Sequence, residues 1–331
     1  MTAPTDAFLT GGSGLVGGHL LQRLVQNGSA VKALARTDSA QQRVAVRGGT
    51  VVSGDVFDNA ALAAGMAGVD TVFHVAGVNT TCVRDPDAMD RVNIEGTREI
   101  VRAASLAGVR RVVYTSSAAV IGERHGSVGS ETTIHSGEFL SPYARSKYLA
   151  EIAGFAEAER CGVDFVAVNP SSVQGPGRSM GSAEILLKVL QARRPVLVDA
   201  FLSIVDIEDC TDGHIAAATR GIAGSRYILS TPAMRMTEAV EMLSVATGKA
   251  IDPRWLGART ARFVGRPVAK LMSAVRPDSG ICVALIDTLL HGHRFDGTLA
   301  SRELGIDYRP WTNTLERTVA WFRSEGLLTS D

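Results

Sequence analysis

The sequence predicts an α/β protein of the Rossmann type, in which a doubly wound parallel sheet is interleaved with a smaller C-terminal substrate lobe. Through the first 170 of the 331 residues, short apolar runs alternate with longer segments of helical spacing. The apolar runs lack polar alternation, which is typical of strands buried on both faces of a parallel sheet. Strands and helices that alternate in this way form right-handed β-α-β units.

The predicted elements follow one another in order. Strands are expected at residues 7–9, 30–34, 51–52, 71–75, 112–114 and 164–168, and helices at 15–26, 60–67, 86–106 and 143–160. Beyond Pro170 we expect strands at 202–207 and 227–229 and helices at 208–220, 237–247 and 314–325. We assign residues 1–170, with 202–230 returning to them, to a dinucleotide-binding domain. Residues 171–201 and 231–331 form the substrate-binding lobe.

Composition and charge narrow the classes of function. Because 34 basic residues balance 34 acidic ones, no electrostatic argument favours nucleic acid or an anionic membrane as partner. No apolar run reaches the roughly 18 residues of a membrane helix, and no secretory signal is visible. Cys82, Cys161, Cys210 and Cys282 lie far apart in sequence. This spacing argues against structural disulfides and zinc and favours a reduced, cytoplasmic setting.

A glycine-rich turn joins the first predicted strand to the first predicted helix. Residues 10–17 are Thr-Gly-Gly-Ser-Gly-Leu-Val-Gly. Glycines let the backbone approach a pyrophosphate closely, and the N–H groups that open the helix attract the anion. In this context the pattern predicts a dinucleotide site rather than a packing turn without ligand. The cofactor-binding residues expected here are Gly11, Gly12, Ser13, Gly14, Leu15, Val16 and Gly17.

The end of the second strand bears on which dinucleotide binds. Arg36 directly follows the apolar run and favours NADP, because an arginine here accommodates the 2′-phosphate. Asp38 favours NAD instead, since a carboxylate accepts hydrogen bonds from the ribose hydroxyls, or it caps a helix. We expect NADP and keep NAD as the alternative. Further along the cofactor we expect Asp55 and Val56, although Asp55 could be a simple turn residue, followed by Val75, Ala76 and Gly77.

Tyr143 and Lys147 are four residues apart, which places them one turn apart on the same face of a helix. A phenol has a pKa of about 10, and a proton shuttle at neutral pH needs a lower one. A nearby ammonium favours the phenolate, and the same ammonium can bind the nicotinamide ribose. On its own, such a pair is often only a surface pair.

Hydroxyl residues follow the fifth strand, at the edge where parallel sheets bind ligands. We expect Ser117 to hydrogen-bond the substrate oxygen that Tyr143 protonates. Ser116 is the alternative, and a hydroxyl that only caps the next turn is another. Thr115 ends the strand and is expected beside the cofactor.

Together these motifs resemble the extended short-chain dehydrogenase/reductase family, also known as the NAD(P)-dependent epimerase/dehydratase superfamily. The matching segments, in the same order across roughly residues 5–230, are 10–17, 54–55, 74–77, 92–93, 115–117, 143–147 and 169–170. Later segments, 203–209 with His214 and 295–300, resemble the dihydroflavonol-4-reductase-like branch.

The resemblance implies roles for single residues. Ser117 becomes the serine of a Ser–Tyr–Lys set, and Asn93 a structural or proton-relay asparagine. Pro170, Ser172 and Val173 become neighbours of the nicotinamide. The family also implies a homodimer through the helices at 86–106 and 143–160.

Departures from the family pattern limit the chemistry. Ala118 and Ala119 stand where the dehydratases carry an Asp-Glu pair, so we do not expect dehydration. Residues 200–203 lack the arginine that helps many epimerases to hold a diphosphate. Arg178, Arg193 or Arg194 could replace it.

The sequence thus favours an NADP(H)-dependent reductase of a ketone or aldehyde on a small, largely apolar molecule. A sugar-nucleotide epimerase that uses NAD is the first alternative, and a cofactor-sensing protein without turnover is the second. Residues 122–139, which contain Glu131, are expected to lie over the active site or to form a mobile surface loop. No metal site is expected, because His291 and His293 have no third ligand nearby in sequence.

Overall fold

A seven-stranded parallel sheet lies at the centre of the computed structural model, which describes residues 3–178, 182–276 and 280–328. The strand order is β11-β6-β5-β4-β1-β2-β3, and all six pairings are parallel. The strands are β1 (Asp6–Thr10), β2 (Ala30–Ala35), β3 (Thr50–Ser53), β4 (Thr71–His74), β5 (Arg111–Thr115), β6 (Asp164–Pro170) and β11 (Arg226–Leu229). The predicted doubly wound sheet is therefore confirmed.

Helices cover both faces of this sheet. They are α1 (Leu15–Gln26), α2 (Asp38–Val46), α3 (Asn59–Met66), α4 (Pro86–Asp90), α5 (Gly96–Leu106), α6 (Pro142–Cys161) and α8 (Ile207–Arg220). A π-helical turn, Arg91–Glu95, joins α4 to α5, and a 3₁₀ turn, Ala118–Val120, follows β5. Helices α1 and α8 pack together in one apolar layer, while α3, α5 and α6 pack in the other.

Strand β1 pairs with β2 on one side and with β4 on the other. The order in which successive strands join the sheet therefore changes direction at β1. The loops after the carboxyl ends of β1 and β4 diverge there and leave a crevice, which is where sheets of this kind bind ligands. The glycine turn after β1 and residues 75–77 after β4 both lie at this point.

We group the remaining elements as the C-terminal lobe, although residues 298–304 pack against α8 and against β11 of the central sheet. Its helices are α7 (Ser182–Gln191), α9 (Met236–Thr247), α10 (Ala258–Thr260), α11 (Arg266–Val275), α12 (Val283–His291), α13 (Thr298–Leu304) and α14 (Trp311–Ser324), with a π-helical turn at Ala261–Gly265. Short strands pair in twos: β7 (Ser172–Gln174) with β10 (Ile204–Asp206), β8 (Val196–Val198) with β13 (Arg254–Leu256), and β9 (Phe201–Leu202) with β12 (Met234–Arg235).

Two expectations about elements need correction. The strand expected at residues 202–207 is broken, because β9 ends at Leu202, β10 covers Ile204–Asp206 and Ile207 already begins α8. Helix α2 was not predicted. It buries only Ala40 and Val44, so its sequence carries little apolar periodicity.

The expectation of no disulfide is wrong. Cys82 and Cys282 are joined by a disulfide, with their α-carbons 5.6 Å apart, although 200 residues separate them in sequence. Cys161 and Cys210 are free. The bond ties the loop after β4 to the segment that precedes α12. Sequence spacing could not reveal it, because it depends on how the lobe folds back over the sheet.

Candidate active site

The glycine turn closes against the end of β4. Gly11 has a φ of 76°, a left-handed conformation that glycine adopts without strain, and its carbonyl oxygen accepts a 2.9 Å hydrogen bond from the N–H of Gly14. A Cβ atom added at Gly17 would collide with that same carbonyl oxygen. Gly14 caps α1 without a side-chain hydrogen bond. The first N–H groups of the helix can therefore bind a phosphate.

The turn opens on a cavity of about 2320 Å³ that extends from the sheet into the C-terminal lobe. Most of the residues predicted to bind cofactor line it: Gly11, Ser13, Gly14, Leu15, Val16, Gly17, Arg36, Asp55, Val56, Val75, Ala76, Gly77, Thr115, Tyr143, Pro170, Ser172 and Val173. Gly12 packs instead towards Leu9 and Ala33. Asp55 also forms a turn, because its Oδ1 accepts a 2.8 Å hydrogen bond from the N–H of Phe57.

Basic side chains line the cavity near β2 and the glycine turn. Arg36 directly follows β2 and is exposed, Arg43 lies in α2, and Arg47 follows α2 and donates a 3.4 Å hydrogen bond to the Gly12 carbonyl oxygen. Asp38 lies in the first turn of α2, which is capped by the hydroxyl of Thr37. Arg43 and Arg47 were missed in the sequence because helix α2 was missed. The cavity lining therefore includes three guanidinium groups near the start of the chain.

Ser117 and Tyr143 both line the cavity wall. Tyr143 lies in the first turn of α6, which the hydroxyl of Ser141 caps. Burial raises the pKa of Tyr143, while the nearby Ser117 side chain and the positive charge of Arg178 oppose the rise. The alternative, Ser116, is buried, and its hydroxyl has no hydrogen-bond partner within the described residues. The Oγ of Ser117 accepts a 3.2 Å hydrogen bond from the N–H of Ala119 and so caps the 3₁₀ turn, as one alternative expected. Both serines line the cavity.

Lys147 lies one turn further along α6, behind the cavity wall. The residue is only 5% exposed. Its ammonium donates a 2.6 Å hydrogen bond to the carbonyl oxygen of Thr115 and lies 4.2 Å from the centre of the Tyr114 ring. Burial lowers the pKa of Lys147 to about 7, although the negative charge of Glu151 opposes this. The positive charge of Arg178, which the sequence suggested only for diphosphate binding, acts to lower the pKa of Tyr143 against the effect of burial.

A buried polar network holds the backbone of Ser117. The Nδ2 of Asn169 donates to the Ser117 carbonyl oxygen at 3.2 Å and to Oε2 of Glu151 at 2.7 Å. Glu151 is 1% exposed and pairs with Arg226 at 2.9 Å. Glu151 was not predicted as a site residue, although it lies four residues after Lys147 on the same face of α6.

Asn93 holds the loop after β4 against the catalytic helix. It lies in the π-helical turn, and π turns are frequent at functional sites. Its Oδ1 accepts from the N–H of Val78 at 2.7 Å, and its Nδ2 donates to the hydroxyl of Ser146 at 2.9 Å. This arrangement supports the structural role that the family resemblance implies.

The loop of residues 122–139 borders the cavity and is tied down at its far end. Oε1 of Glu131 accepts a 2.9 Å hydrogen bond from the N–H of Ile228, and Gly129 forms a β-bridge with Phe295. Gly122, Ser136 and Glu138 line the cavity. Glu131 therefore anchors this loop to the sheet edge.

Glu123, His291 and His293 form a cluster beside the cavity. Nδ1 of His293 lies 2.5 Å, and Nε2 of His291 3.4 Å, from Oε1 of Glu123. Burial alone would raise the pKa of Glu123, but hydrogen bonds with the two histidines outweigh it and lower the pKa to about 2. The histidine pair thus has a third potential ligand, which the sequence did not show because it lies about 170 residues away.

The fold and the site define a nicotinamide-dependent enzyme of the extended short-chain dehydrogenase/reductase type. The chain belongs to the NAD dependent epimerase/dehydratase family, which matches residues 7–229. The family expectation is therefore confirmed, and the protein is an NAD(P)-dependent dehydrogenase/reductase.

Relatives of known name agree with this class. The chain is 32% identical to a Synechocystis sp. protein provisionally named dihydroflavonol 4-reductase, over 96% of this chain and 95% of that one. It is 29% identical to cinnamoyl-CoA reductase 1 of Oryza sativa, over 97% and 91% of the two chains. The solved structure of UDP-glucose 4-epimerase from Thermotoga maritima, 20% identical, has a TM-score of 0.77 over 97% and 99% of the chains. That likeness shows the fold alone. Among the described residues, no helix is long and apolar enough to cross a membrane.

Proposed function

We propose that this protein is an NADP(H)-dependent reductase, which converts a ketone or aldehyde of a largely apolar molecule into an alcohol. The apolar wall of the cavity beyond Ser117 and Tyr143 carries this proposal. The wall includes Leu186, Val189, Leu202, Met236, Leu243 and Leu289. Such a surface favours apolar ligands, with the two hydroxyls as the polar groups that orient them.

The site fits a nicotinamide dinucleotide. Gly11 and Gly17 have no Cβ atom that would keep a pyrophosphate away from the backbone. No side chain caps the first N–H groups of α1, so these groups can bind the pyrophosphate. Arg36, Arg43 and Arg47 suit a further phosphate on the adenosine ribose, and this supports NADP over NAD. NAD remains the alternative through Asp38.

Tyr143, Ser117 and Lys147 have different roles in the proposed reduction of the carbonyl group. Bound NADPH supplies the hydride. We infer that Tyr143 gives its phenolic proton to the carbonyl oxygen as the carbon receives the hydride, so that an alcohol and a phenolate result. The Ser117 hydroxyl donates a hydrogen bond to the same oxygen and holds it in place. Lys147 would bind the nicotinamide ribose in exchange for its bond to the Thr115 carbonyl.

Substitution of Tyr143 tests this function. Tyr143→Phe should leave NADPH affinity within a few-fold but lower kcat by about two orders of magnitude, the usual scale of general acid catalysis. Tyr148→Phe is the matched control, since Tyr148 lies on the same helix and packs against His135 and Phe139. NADPH oxidation is followed with aromatic and aliphatic ketones. A Tyr143→Phe enzyme that keeps most of its turnover would refute the assignment.

The charge that tunes the phenol can be identified separately. Removing a nearby positive charge disfavours the phenolate, so the apparent pKa in the pH profile for alcohol oxidation should rise. If Arg178 is that charge, Arg178→Met should move the profile upwards more than Lys147→Met does. Lys147→Met should instead raise the KM for cofactor. The reverse pattern would return the tuning role to Lys147.

A sugar-nucleotide epimerase is the second candidate, and one observation favours it. Of the three arginines considered for a diphosphate, Arg178 lines the cavity, whereas Arg193 is exposed and Arg194 pairs with Asp252 at 3.3 Å. An epimerase needs a tightly held NAD⁺, because it oxidises and then reduces its substrate. Protein purified with stoichiometric NAD⁺ that does not oxidise added NADPH would favour the epimerase. The sensor alternative predicts cofactor binding without turnover in either assay.

We also propose a homodimer through α5 and α6, where Leu106 and Ile152 are exposed. A monomeric mass by light scattering would refute it.

We propose that the protein is located in the cytoplasm. The Cys82–Cys282 disulfide argues against this location, because disulfides persist in oxidising compartments. Thiol trapping in intact cells decides this point.

A further inference from the structure

All charged residues in the segment 258–276 of the C-terminal lobe are basic. This segment comprises α10, the π-helical turn Ala261–Gly265 and α11, and it ends at Arg276. It contains five basic residues and no acidic one: Arg259, Arg262, Arg266, Lys270 and Arg276. Arg266 pairs with Asp287 at 3.3 Å, and the other four form no ion pair within the described part of the chain. The balanced charge of the whole protein hides this local cluster.

The same segment exposes large apolar side chains. Phe263 is 78% and Leu271 63% exposed, and Val264, Val268 and Val275 are also exposed. Positions 264, 268, 271 and 275 follow the spacing of a single helix face. The residues that the segment buries, Ala261 and Ala269, are small. Val264 and Val268 are exposed at the cavity, whereas Phe263, Leu271 and Val275 are exposed without lining it.

The segment also forms part of the cavity wall. Ala261, Val264, Gly265 and Val268 all line the cavity, beyond the catalytic hydroxyls. Whatever covers the exposed face thus lies next to the substrate half of the site.

We propose that residues 258–276 form an interfacial helix that binds the surface of an anionic lipid membrane. An exposed apolar face beside unpaired basic residues is the signature of helices that lie in the plane of a membrane, with the apolar side chains among the acyl chains. The basic residues select anionic headgroups. A second copy of this chain is disfavoured as occupant, because it would bring five more basic residues against these five. As a consequence that rests on the reductase function proposed above, the carbonyl substrate would be lipid-soluble and enter from the membrane.

Vesicle sedimentation tests this inference with the full chain. The protein should sediment with vesicles of phosphatidylglycerol and phosphatidylcholine, bind far less to phosphatidylcholine alone, and be released as salt is raised. The double variant Arg259→Gln/Lys270→Gln should bind anionic vesicles about 25-fold less tightly, since each basic residue contributes about fivefold. The double variant Phe263→Ser/Leu271→Ser should lose at least about tenfold for each side chain.

The controls separate this proposal from folding defects and from the proposed function. Val46→Ser removes an equally exposed apolar side chain from α2 and should bind vesicles like the parent. All variants should keep the parent's thermal midpoint and NADPH affinity, and the binding assay requires no turnover. Absence of binding to anionic vesicles, or equal binding by Phe263→Ser/Leu271→Ser, would overturn the proposal. So would a dimer that this variant converts into a monomer, because a second copy would then cover the face.

Discussion

Removing the Cys82–Cys282 disulfide should destabilise the protein strongly. The bond closes a loop of 200 residues. In the chain-entropy treatment, opening a loop of this length returns about 5 kcal/mol of conformational freedom to the unfolded state, and measured effects of disulfides are commonly about 2–4 kcal/mol. Either figure is a large part of the roughly 5–15 kcal/mol that holds a typical protein folded. We therefore expect Cys82→Ser to lower the free energy of unfolding by about 2–5 kcal/mol.

Urea unfolding of the parent and of Cys82→Ser, with and without dithiothreitol, measures this loss. Reductant should shift the parent's midpoint towards that of the variant and should leave the variant's midpoint unchanged. Cys161→Ser is the matched control, because Cys161 is a free cysteine. Its midpoint should stay close to the parent's and should respond to dithiothreitol as the parent's does.

Activity provides a second readout of the same bond. Thr80, Thr81 and Cys82 line the cavity on one side of the disulfide, and Gly280 and Ile281 line it on the other. Reduction should therefore raise the KM for substrate more than it changes kcat. Four titratable thiols in denatured, unreduced protein would refute the reasoning at its start. A midpoint that reductant does not move would refute the energetic argument.

Three further predictions concern the cofactor site and pH. Gly17→Ala places a methyl group against the Gly11 carbonyl oxygen and should weaken cofactor binding at least about tenfold. Gly257→Ala is the control, because its methyl group contacts no other atom, and it should leave cofactor binding unchanged. Isothermal titration measures cofactor binding by both variants. Arg36→Ala should weaken NADPH by about tenfold or more and NADH much less, and equal losses would favour NAD. Burial lowers the pKa of His214 to about 4. Between about pH 6.5 and about 4 the imidazole is therefore protonated in the unfolded chain but neutral in the folded chain. The free energy of unfolding should fall as the pH drops from about 6.5 towards 4. His214→Gln should flatten that fall in thermal unfolding, and an unchanged slope would contradict it.

The sheet and the glycine turn could be predicted because both depend on neighbours in sequence. Buried parallel strands read as apolar runs, and the predicted central strands agree with the observed ones to within about two residues. The spacing of Tyr143 and Lys147 placed both on one face of α6. In the C-terminal lobe, helices α9 and α14 were predicted, but the short strands β7, β8, β12 and β13 were not, because each has only two or three residues and pairs with a segment distant in sequence.

Sequence alone thus determined the fold class, the turn that suits a pyrophosphate, and which residue types stand at the ends of the strands. Only the tertiary structure decided which distant residues meet. It brought Arg178 and Tyr143 to one cavity, Glu123 between two histidines, and Cys82 onto Cys282. Local spacing follows from the 3.6-residue turn of a helix and the two-residue repeat of a strand. Contacts across 35 to 200 residues depend instead on the path of the chain, which is set by the packing of the whole core.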